Sequence, residues 1–287
     1  VKITDGDINA NGGYKGAGIG GGNEKDGQVT ITGGEIIANG GDGSAGIGGG
    51  YSGNGTVTIS GGTVTEASGG GEGAGIGGGD SGNGTVNISG GTITEASGGY
   101  MAAGIGSGFQ GLGTVTIEGD AVIKNAQGGK AGAGIGSGTR GDSEIIIRGN
   151  AVIENAESSA NGAGIGAGQG SLRDNISTVG KVTIEGNAKI ENAKSGSGGS
   201  GIGGGFIGIG NVIIRGNAQI GNATGGEEGA GIGGGALGTG DVTIEGNVTI
   251  ENAKGGAGAA GIGGGAETQP DTKDTRNKVS IKSTEAG

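Results

Sequence analysis

Acidic side chains are the candidates for chemistry in this sequence, because its 287 residues include no histidine and no cysteine. The commonest general base and the thiolate metal ligands are therefore missing. Glu66 and Glu95 form the nearest approach to a carboxylate pair, since they occupy the same position in adjacent repeats. A second acidic group lies near the start of the sequence, at Asp5, Asp7 and Asp26.

Carboxylate oxygens at these five positions are ligands that Ca²⁺ accepts. The metal-site hypothesis therefore assigns Ca²⁺ to these residues, and we expect no other cofactor. The competing interpretation treats all five as solvated charges, because oxygens spread across turns seldom converge on one ion.

The few aromatic residues border a glycine-rich strand. Tyr14 and Tyr100 precede that strand, whereas Tyr51, Phe109 and Phe206 follow it. Exposed aromatic rings stack on sugars, so Tyr14 and Tyr100 are candidates for a glycan or partner surface. The alternative is that the rings fold inward and fill the corners, since soluble proteins rarely expose large apolar patches.

The net charge of −11 limits the classes of partner. Nucleic acids and anionic membrane surfaces select basic patches, so we expect neither. A uronate polymer would need a bridging divalent cation. We also expect no membrane insertion, because the sequence has no long apolar run.

A glycine-rich motif, Ala-Gly-Ile-Gly-Gly-Gly, sets the period of the chain. It or a close variant occurs nine times, centred on Ile19, Ile47, Ile76, Ile105, Ile135, Ile165, Ile202, Ile232 and Ile262. The spacing is 28 to 30 residues, apart from one gap of 37. A fixed period of this size is typical of stacked repeats.

Each repeat contains three short stretches with strand character. In the third repeat, Thr56–Ser60 alternates polar and apolar residues, Val64 marks a second strand, and Ala74 and Ile76 share one side of a third. This pattern predicts an all-β fold: a single-stranded, right-handed parallel β-helix of triangular section with nine to ten coils. We expect one domain over 1–287, with nine full coils in 1–265, a long loop at 266–277 and the start of a tenth coil at 278–287. A further insertion falls at 169–179.

Two columns of polar residues recur at equivalent positions. An asparagine column comprises Asn125, Asn155, Asn192, Asn222 and Asn252. We expect these amides to point inward and form a hydrogen-bonded ladder. A charged column alternates in sign through Glu118, Arg148, Glu185, Arg215, Glu245 and Lys282, which predicts ion pairs between neighbouring coils.

The three-stranded coil with its asparagine column resembles the right-handed parallel β-helices of the pectin-lyase-like superfamily. The Ala-Gly-Ile-Gly-Gly-Gly coils resemble repeats of secreted surface proteins of bacteria, mostly Gram-positive ones. The resemblance implies an extracellular location. The resemblance leaves the function open, because the proteins of this group include lyases, hydrolases, glycan-binding modules, adhesins and stalks. An enzyme of that superfamily would need carboxylates clustered on one strand face, and here the aspartates are scattered, so we assign no catalytic residue and expect no enzyme.

The glycines of the motif are the main candidates for a working face. Alternation places the glycine before each central isoleucine outward, as a bare column open to another sheet, chain or polymer. The glycines after the isoleucine are expected to adopt backbone geometry that other residues avoid. The outward column comprises Gly18, Gly46, Gly75, Gly104, Gly134, Gly164, Gly201, Gly231 and Gly261.

These observations favour a non-catalytic stalk or adhesin-type module on the cell surface. It would dock through the glycine face or the open ends at Val1–Ile3 and Val279–Ile281, with other β-solenoid chains or flanking domains as partners. The alternative is a carbohydrate-binding module for a cell-wall or plant polysaccharide, with or without Ca²⁺. A polysaccharide lyase or hydrolase is the third class.

Overall fold

Residues 1–266 and 277–282 are described by a computed structural model. They form a parallel β-solenoid of about nine turns with three sheets, and this part of the chain contains no helix. The fold class expected from the sequence is therefore confirmed. The predicted loop at 266–277 lies largely outside the described residues.

The strands of each sheet stack one per coil in chain order. The first sheet comprises Lys2–Ile3, Gly27–Ile31, Gly55–Ile59, Gly84–Ile88, Gly113–Ile117, Ser143–Ile147, Thr178–Ile184, Gly208–Gly216, Gly240–Gly246 and Lys278–Lys282. The second comprises Asp7–Asn11, Glu35–Asn39, Thr63–Ser68, Thr92–Ser97, Val122–Gly128, Val152–Ser158, Lys189–Ser195, Gln219–Thr224 and Thr249–Lys254. The third comprises Ile19–Gly20, Ile47–Gly48, Ile76–Gly77, Ile105–Gly106, Ile135–Gly136, Ile165–Gly166, Ile202–Gly203, Ile232–Gly233 and Ile262–Gly263.

Identical residues stack on each other along the rod. Val57 pairs with Val86, for example, and the last strand, Lys278–Lys282, pairs with the strand of the preceding coil in the same register. Valine and isoleucine of the first sheet, isoleucine and alanine of the second and isoleucine of the third fill one continuous core. Stacking of β-branched side chains suits a pleated surface and fixes the register of the coils.

The second strand of most coils contains one more outward residue than simple alternation allows. From the third coil onward two adjacent residues face outward between two buried ones, as Glu191 and Asn192 do between Ile190 and Ala193. The pairing shifts by one residue where this pattern begins, between Ile36 and Ile37. The expectation that the asparagine column points into the core is therefore wrong, and Asn125, Asn222 and Asn252 are exposed.

The third strand lies inside the protein rather than on its surface. Gly75 is buried, and a Cβ atom there would lie 2.6 Å from Gly104 O, 2.7 Å from Ser97 N and 2.8 Å from Ala67 O. The close approach that removes the side chain comes from the protein's own second sheet. The prediction of an outward glycine column is therefore wrong. The same backbone contacts surround Gly18, Gly46, Gly104, Gly134, Gly164, Gly201 and Gly231, and Gly261 lies against Ala253 O.

The glycine after the central isoleucine has the special geometry expected of it. Its φ angle lies between +129° and +145° in all nine coils, a range that side chains rarely permit. In the first coil a Cβ atom on Gly20 would lie 2.0 Å from Gly48 O.

Candidate functional site

Two sets of loops cover the third strand and form the outer corner of the rod. We call the segment before the third strand the entry loop, such as 40–46, and the segment after it the exit loop, such as 49–54. An amide of each exit loop donates to a carbonyl of the entry loop one coil earlier, as Thr139 N does to Met101 O at 2.8 Å. Because these bonds recur in eight coils, the outer corner is a rigid backbone surface.

Aromatic rings lie on this outer corner. A Cβ atom on Gly43 would lie 2.6 Å from the Tyr51 ring, and one on Gly198 would lie 2.7 Å from the Phe206 ring. These half-buried rings therefore pack over loop glycines instead of folding inward to fill the core corners, which corrects the alternative given above. Tyr14 and Tyr100, by contrast, are exposed by 79% and 55%.

One stretch of the outer corner forms a groove of about 390 Å³. Its polar and aromatic lining includes Tyr100, Phe109, Lys130, Arg140 and Asn161, which come from loops of three successive coils. The Lys130 ammonium lies 5.6 Å from the centre of the Tyr100 ring, and the Arg140 guanidinium lies 5.7 Å from that of Phe109. We define these residues with Thr139 and Gln169 as the outer groove.

Arg140 occupies a strained position. Its φ angle is +62°, and the residues at the same exit-loop position have φ angles between +54° and +59° in six other coils. These are Glu24, Ser52, Ser81, Gln110, Ile207 and Leu237. A left-handed conformation costs a residue with a side chain roughly 1–2 kcal/mol. Although the chain has 86 glycines, these seven exit loops present a side chain at the tip, and the sixth coil, where the insertion begins, has Gly170 there.

The insertion at 169–179 borders the groove. An antiparallel bridge between Ser171 and Ile176 closes the insertion loop. Arg140 forms an ion pair with Asp174 of this loop. Asn161 Nδ2 donates to Gln169 Oε1 at 3.0 Å. Thr139 is 6% exposed, and its hydroxyl oxygen is buried without a hydrogen-bond partner among the described residues. The groove therefore combines cations, amides and aromatic rings where the repeat is interrupted.

The asparagine ladder is confirmed, although it lies on the outer side of the second sheet. Nδ2 of each residue donates to Oδ1 of the preceding one: Asn155 to Asn125 and Asn192 to Asn155 at 3.1 Å, Asn222 to Asn192 at 3.0 Å and Asn252 to Asn222 at 3.4 Å. The same amides reach main-chain carbonyls of the paired outward residues, as Asn155 Nδ2 does to Lys124 O at 3.1 Å. Asparagine thus satisfies an acceptor that the extra outward residue exposes.

The charged column forms the predicted ion pairs between coils. Each cation contacts the glutamate of the preceding coil: Arg148 with Glu118 at 2.6 Å, Arg215 with Glu185 at 2.5 Å and Lys282 with Glu245 at 3.1 Å. On the neighbouring second sheet, a hydrogen bond and the charge of Glu191 raise the pKa of Lys189 above its usual value of 10.5.

Two further ladders of polar side chains were not predicted from the sequence. Asn150, Asn187 and Asn217 link coils with Asp120 at 3.0 to 3.2 Å, in the turn after the first strand. Their constant position two residues after the charged column was the available signal. Asn54 donates to Asp26 in the same way, and Asn83 N donates to Asn54 Oδ1 at 2.9 Å.

The acidic candidates lie at separate places on the rod, apart from Glu66 and Glu95, which are one coil apart. Glu66 and Glu95 do fall at equivalent positions, since Val64 pairs with Ile93 and Ala67 with Ala96, and both side chains are exposed. Asp5 accepts a bond from Gly6 N, Asp26 binds Asn54, and Asp7 is exposed on the second sheet. In residues 1–266 and 277–282 no three acidic side chains converge as metal ligands would.

Comparison with known proteins supports the architecture. The family model described as Beta helix repeat matches residues 1–23, 29–51, 57–80 and 86–109. No curated protein and no solved structure matches the chain. The four matched segments and the three stacked sheets together support a β-helix repeat architecture. No helix of the described part has the length and apolar character needed to cross a membrane.

Proposed function

We propose that this β-helix repeat protein is a non-catalytic rod, a rigid stalk or adhesin-type module displayed outside the cell. The observation that carries the proposal is the direction of its polar contacts. Asparagine amides, glutamates and arginines on the flat faces bond mainly to the next coil along the axis. These contacts resist bending and separation of coils, which is what a stalk requires.

Association in this proposal uses strand edges and not the glycine strand, because the protein's own loops cover that strand. Val279 and Ile281 of the last first-sheet strand are exposed by 46% and 68%. A further β-coil, from the same protein or from another solenoid chain, would cover them by strand addition.

A distance measurement tests the rigid rod. Because the chain contains no cysteine, Glu24→Cys and Leu237→Cys provide two unique spin-label sites in one column of loop tips. Seven coil intervals separate them, or about 34 Å. We expect one narrow distance that persists until cooperative unfolding. A broad or multiple distribution in native buffer contradicts the stalk.

Location and chemistry need separate experiments. Protease treatment of intact source cells should digest the protein if it is displayed outside the cell, and protection until lysis contradicts that placement. Polysaccharide cleavage that Glu66→Gln with Glu95→Gln abolishes would contradict the non-catalytic assignment and support a lyase or hydrolase.

A carbohydrate-binding module is the second candidate function, and the outer groove is the observation that favours it. A glycan array probed with Ca²⁺ and with chelator tests this candidate. Loss of a signal on chelation would support a Ca²⁺-assisted mode, and an absence of binding in both conditions would contradict the candidate.

A further inference from the structure

We infer that the outer groove binds an acidic saccharide, a pyranose ring that carries a carboxylate or a sulfate. The inference rests on the second candidate function and adds a site and a ligand class to it.

Local charge is the first argument. The twelve residues that line the groove include Lys130 and Arg140 and no carboxylate, although the chain as a whole has a net charge of −11. Asp174 at the border of the groove offsets part of the Arg140 charge, so the two cations suit a ligand with a single negative charge. A polyanion such as nucleic acid would meet the repulsion of the surrounding surface.

Arg140 is arranged to receive an anion. Asp174 and Ser171 both contact its Nη2 atom. Within the described residues the Nε and Nη1 donors have no intramolecular partner, and each can donate a separate hydrogen bond because Cδ lies on the edge between them. A carboxylate or sulfate oxygen can accept a charge-assisted hydrogen bond from either nitrogen. Asp174 holds the side chain from the insertion loop, which restricts its orientation before any ligand arrives.

The aromatic and amide groups fit the rest of a sugar. Tyr100 is 55% exposed and presents a ring on which the apolar face of a pyranose can stack. The hydrogen bond between Asn161 Nδ2 and Gln169 Oε1 leaves Asn161 Oδ1 and Gln169 Nε2 available to the hydroxyl groups of a sugar. The volume of about 390 Å³ falls in the range of roughly 300–1,000 Å³ that is usual for small-ligand sites.

The groove is also preorganised. Arg140 N donates to Gln169 O at 2.7 Å, Gln169 N to Ala131 O at 2.8 Å and Asn161 N to Lys130 O at 2.8 Å. These bonds tie the loops of two successive coils together, so a ligand would not need to order them. The left-handed conformation of Arg140 is consistent with a tip side chain that is retained for contact.

Titration of the 287-residue chain by NMR tests the inference with three probes: methyl β-glucuronide, methyl β-glucoside 6-sulfate and neutral methyl β-glucoside. We expect at least one anionic probe to bind about tenfold or more tightly than the neutral one. Comparison of the two anionic probes shows which charged group the groove prefers. Equal binding of all three, or binding of none, overturns the inference.

Variants locate the site. Arg140→Gln should weaken the anionic probes about tenfold or more, and Tyr100→Ala should weaken charged and neutral probes alike by about fivefold. Tyr14→Ala is the matched control, because Tyr14 is an exposed tyrosine beside Lys15 on the equivalent loop of the first coil. Lys130→Gln provides a second charge variant if Arg140→Gln unfolds. Unchanged binding in folded Arg140→Gln and Lys130→Gln overturns the site, while a glycan signal that both variants retain would leave carbohydrate binding intact elsewhere on the rod.

Discussion

Asn192 donates its side-chain amide to Oδ1 of Asn155 at 3.1 Å and to Glu154 O at 3.2 Å, across the boundary between two coils. One amide group therefore continues a side-chain ladder and also satisfies the carbonyl of an extra outward residue. Asparagine suits this position because it carries a donor and an acceptor on one short side chain. The ladder links the local bulge of the second strand to the stiffness of the whole rod.

Asn155→Asp should destabilise the protein by about 1–3 kcal/mol. The substitution removes the donor to Asn125 Oδ1 and Lys124 O and places a charge beside two acceptors. Urea unfolding measures the change. Asn87→Asp is the control, since Asn87 lies between Thr58 and Thr116 on the outer side of the first sheet. Equal losses in the two variants would show that charge, not the ladder, is responsible.

Glu95→Asn should stabilise the protein by about 0.5–1 kcal/mol, because it extends the ladder by one step. Glu95 is in register with Asn125 but has no amide to donate to the coil below. Asparagine there would reach the Glu66 carboxylate and a main-chain carbonyl. Glu227→Asn makes the same charge change on an exposed entry loop and provides the control. Similar gains in both denaturation midpoints would indicate relief of net charge alone.

Gly75→Ala should destabilise the rod by more than about 3 kcal/mol or prevent folding, since overpacking alone costs about 1–3 kcal/mol and here the clashes are with main-chain atoms. The added Cβ would lie 2.6 to 2.8 Å from main-chain atoms of Ala67 and Ser97 in the second sheet and of Gly104 in the next coil. Thermal unfolding followed by circular dichroism measures the loss. Gly22→Ala is the matched control, because a Cβ atom there meets nothing within 4 Å. If Gly75→Ala is as stable as the control, the result contradicts the burial of Gly75 and supports an open glycine face.

Much of the fold is predictable from the sequence because its signals are local and repeated. Alternation at Val57 and Ile59 identifies a half-buried strand, and the fixed period stacks it on its equivalents. The side on which Gly75 lies is not predictable in this way. When a strand is enclosed on both sides, its two faces do not differ in polarity. Polar–apolar alternation then does not indicate which side a residue faces.

The candidate site depends on contacts that the sequence does not encode locally. Tyr100, Lys130 and Asn161 are each about 30 residues apart and meet because their loops stack. Asn192 shows the same limit at short range, since two consecutive outward residues break the period-two pattern. By contrast, the ion pair between Glu185 and Arg215 follows from a constant column position and was predictable.

Arg215→Glu should destabilise the rod by about 1 kcal/mol, because it replaces an ion pair by repulsion between carboxylates at coil spacing. In this variant, three carboxylates would lie in successive coils: Glu185, the side chain at position 215 and Glu245. Salt of about 0.5 M should reduce the loss, since the ion pair lies at the surface and Arg215 is exposed. Arg215→Gln, which removes attraction without adding repulsion, should give an intermediate and less salt-sensitive value. Equal stability of the two variants at low salt would rule out an electrostatic role for the column.

Lys189 provides a prediction about pH. Its ammonium donates to Glu191 Oε1 at 2.8 Å, and this hydrogen bond and the nearby charge raise its pKa above 10.5. Because the folded-state pKa is the higher one, the stabilising contribution is complete below pH 10.5 and is lost as the pH rises through the folded value. Glu191→Gln should lower the Lys189 pKa in an NMR titration of its side-chain signals. The unsubstituted protein, titrated under the same conditions, is the reference. An unchanged Lys189 pKa in the variant would show that Glu191 does not stabilise the protonated form of Lys189.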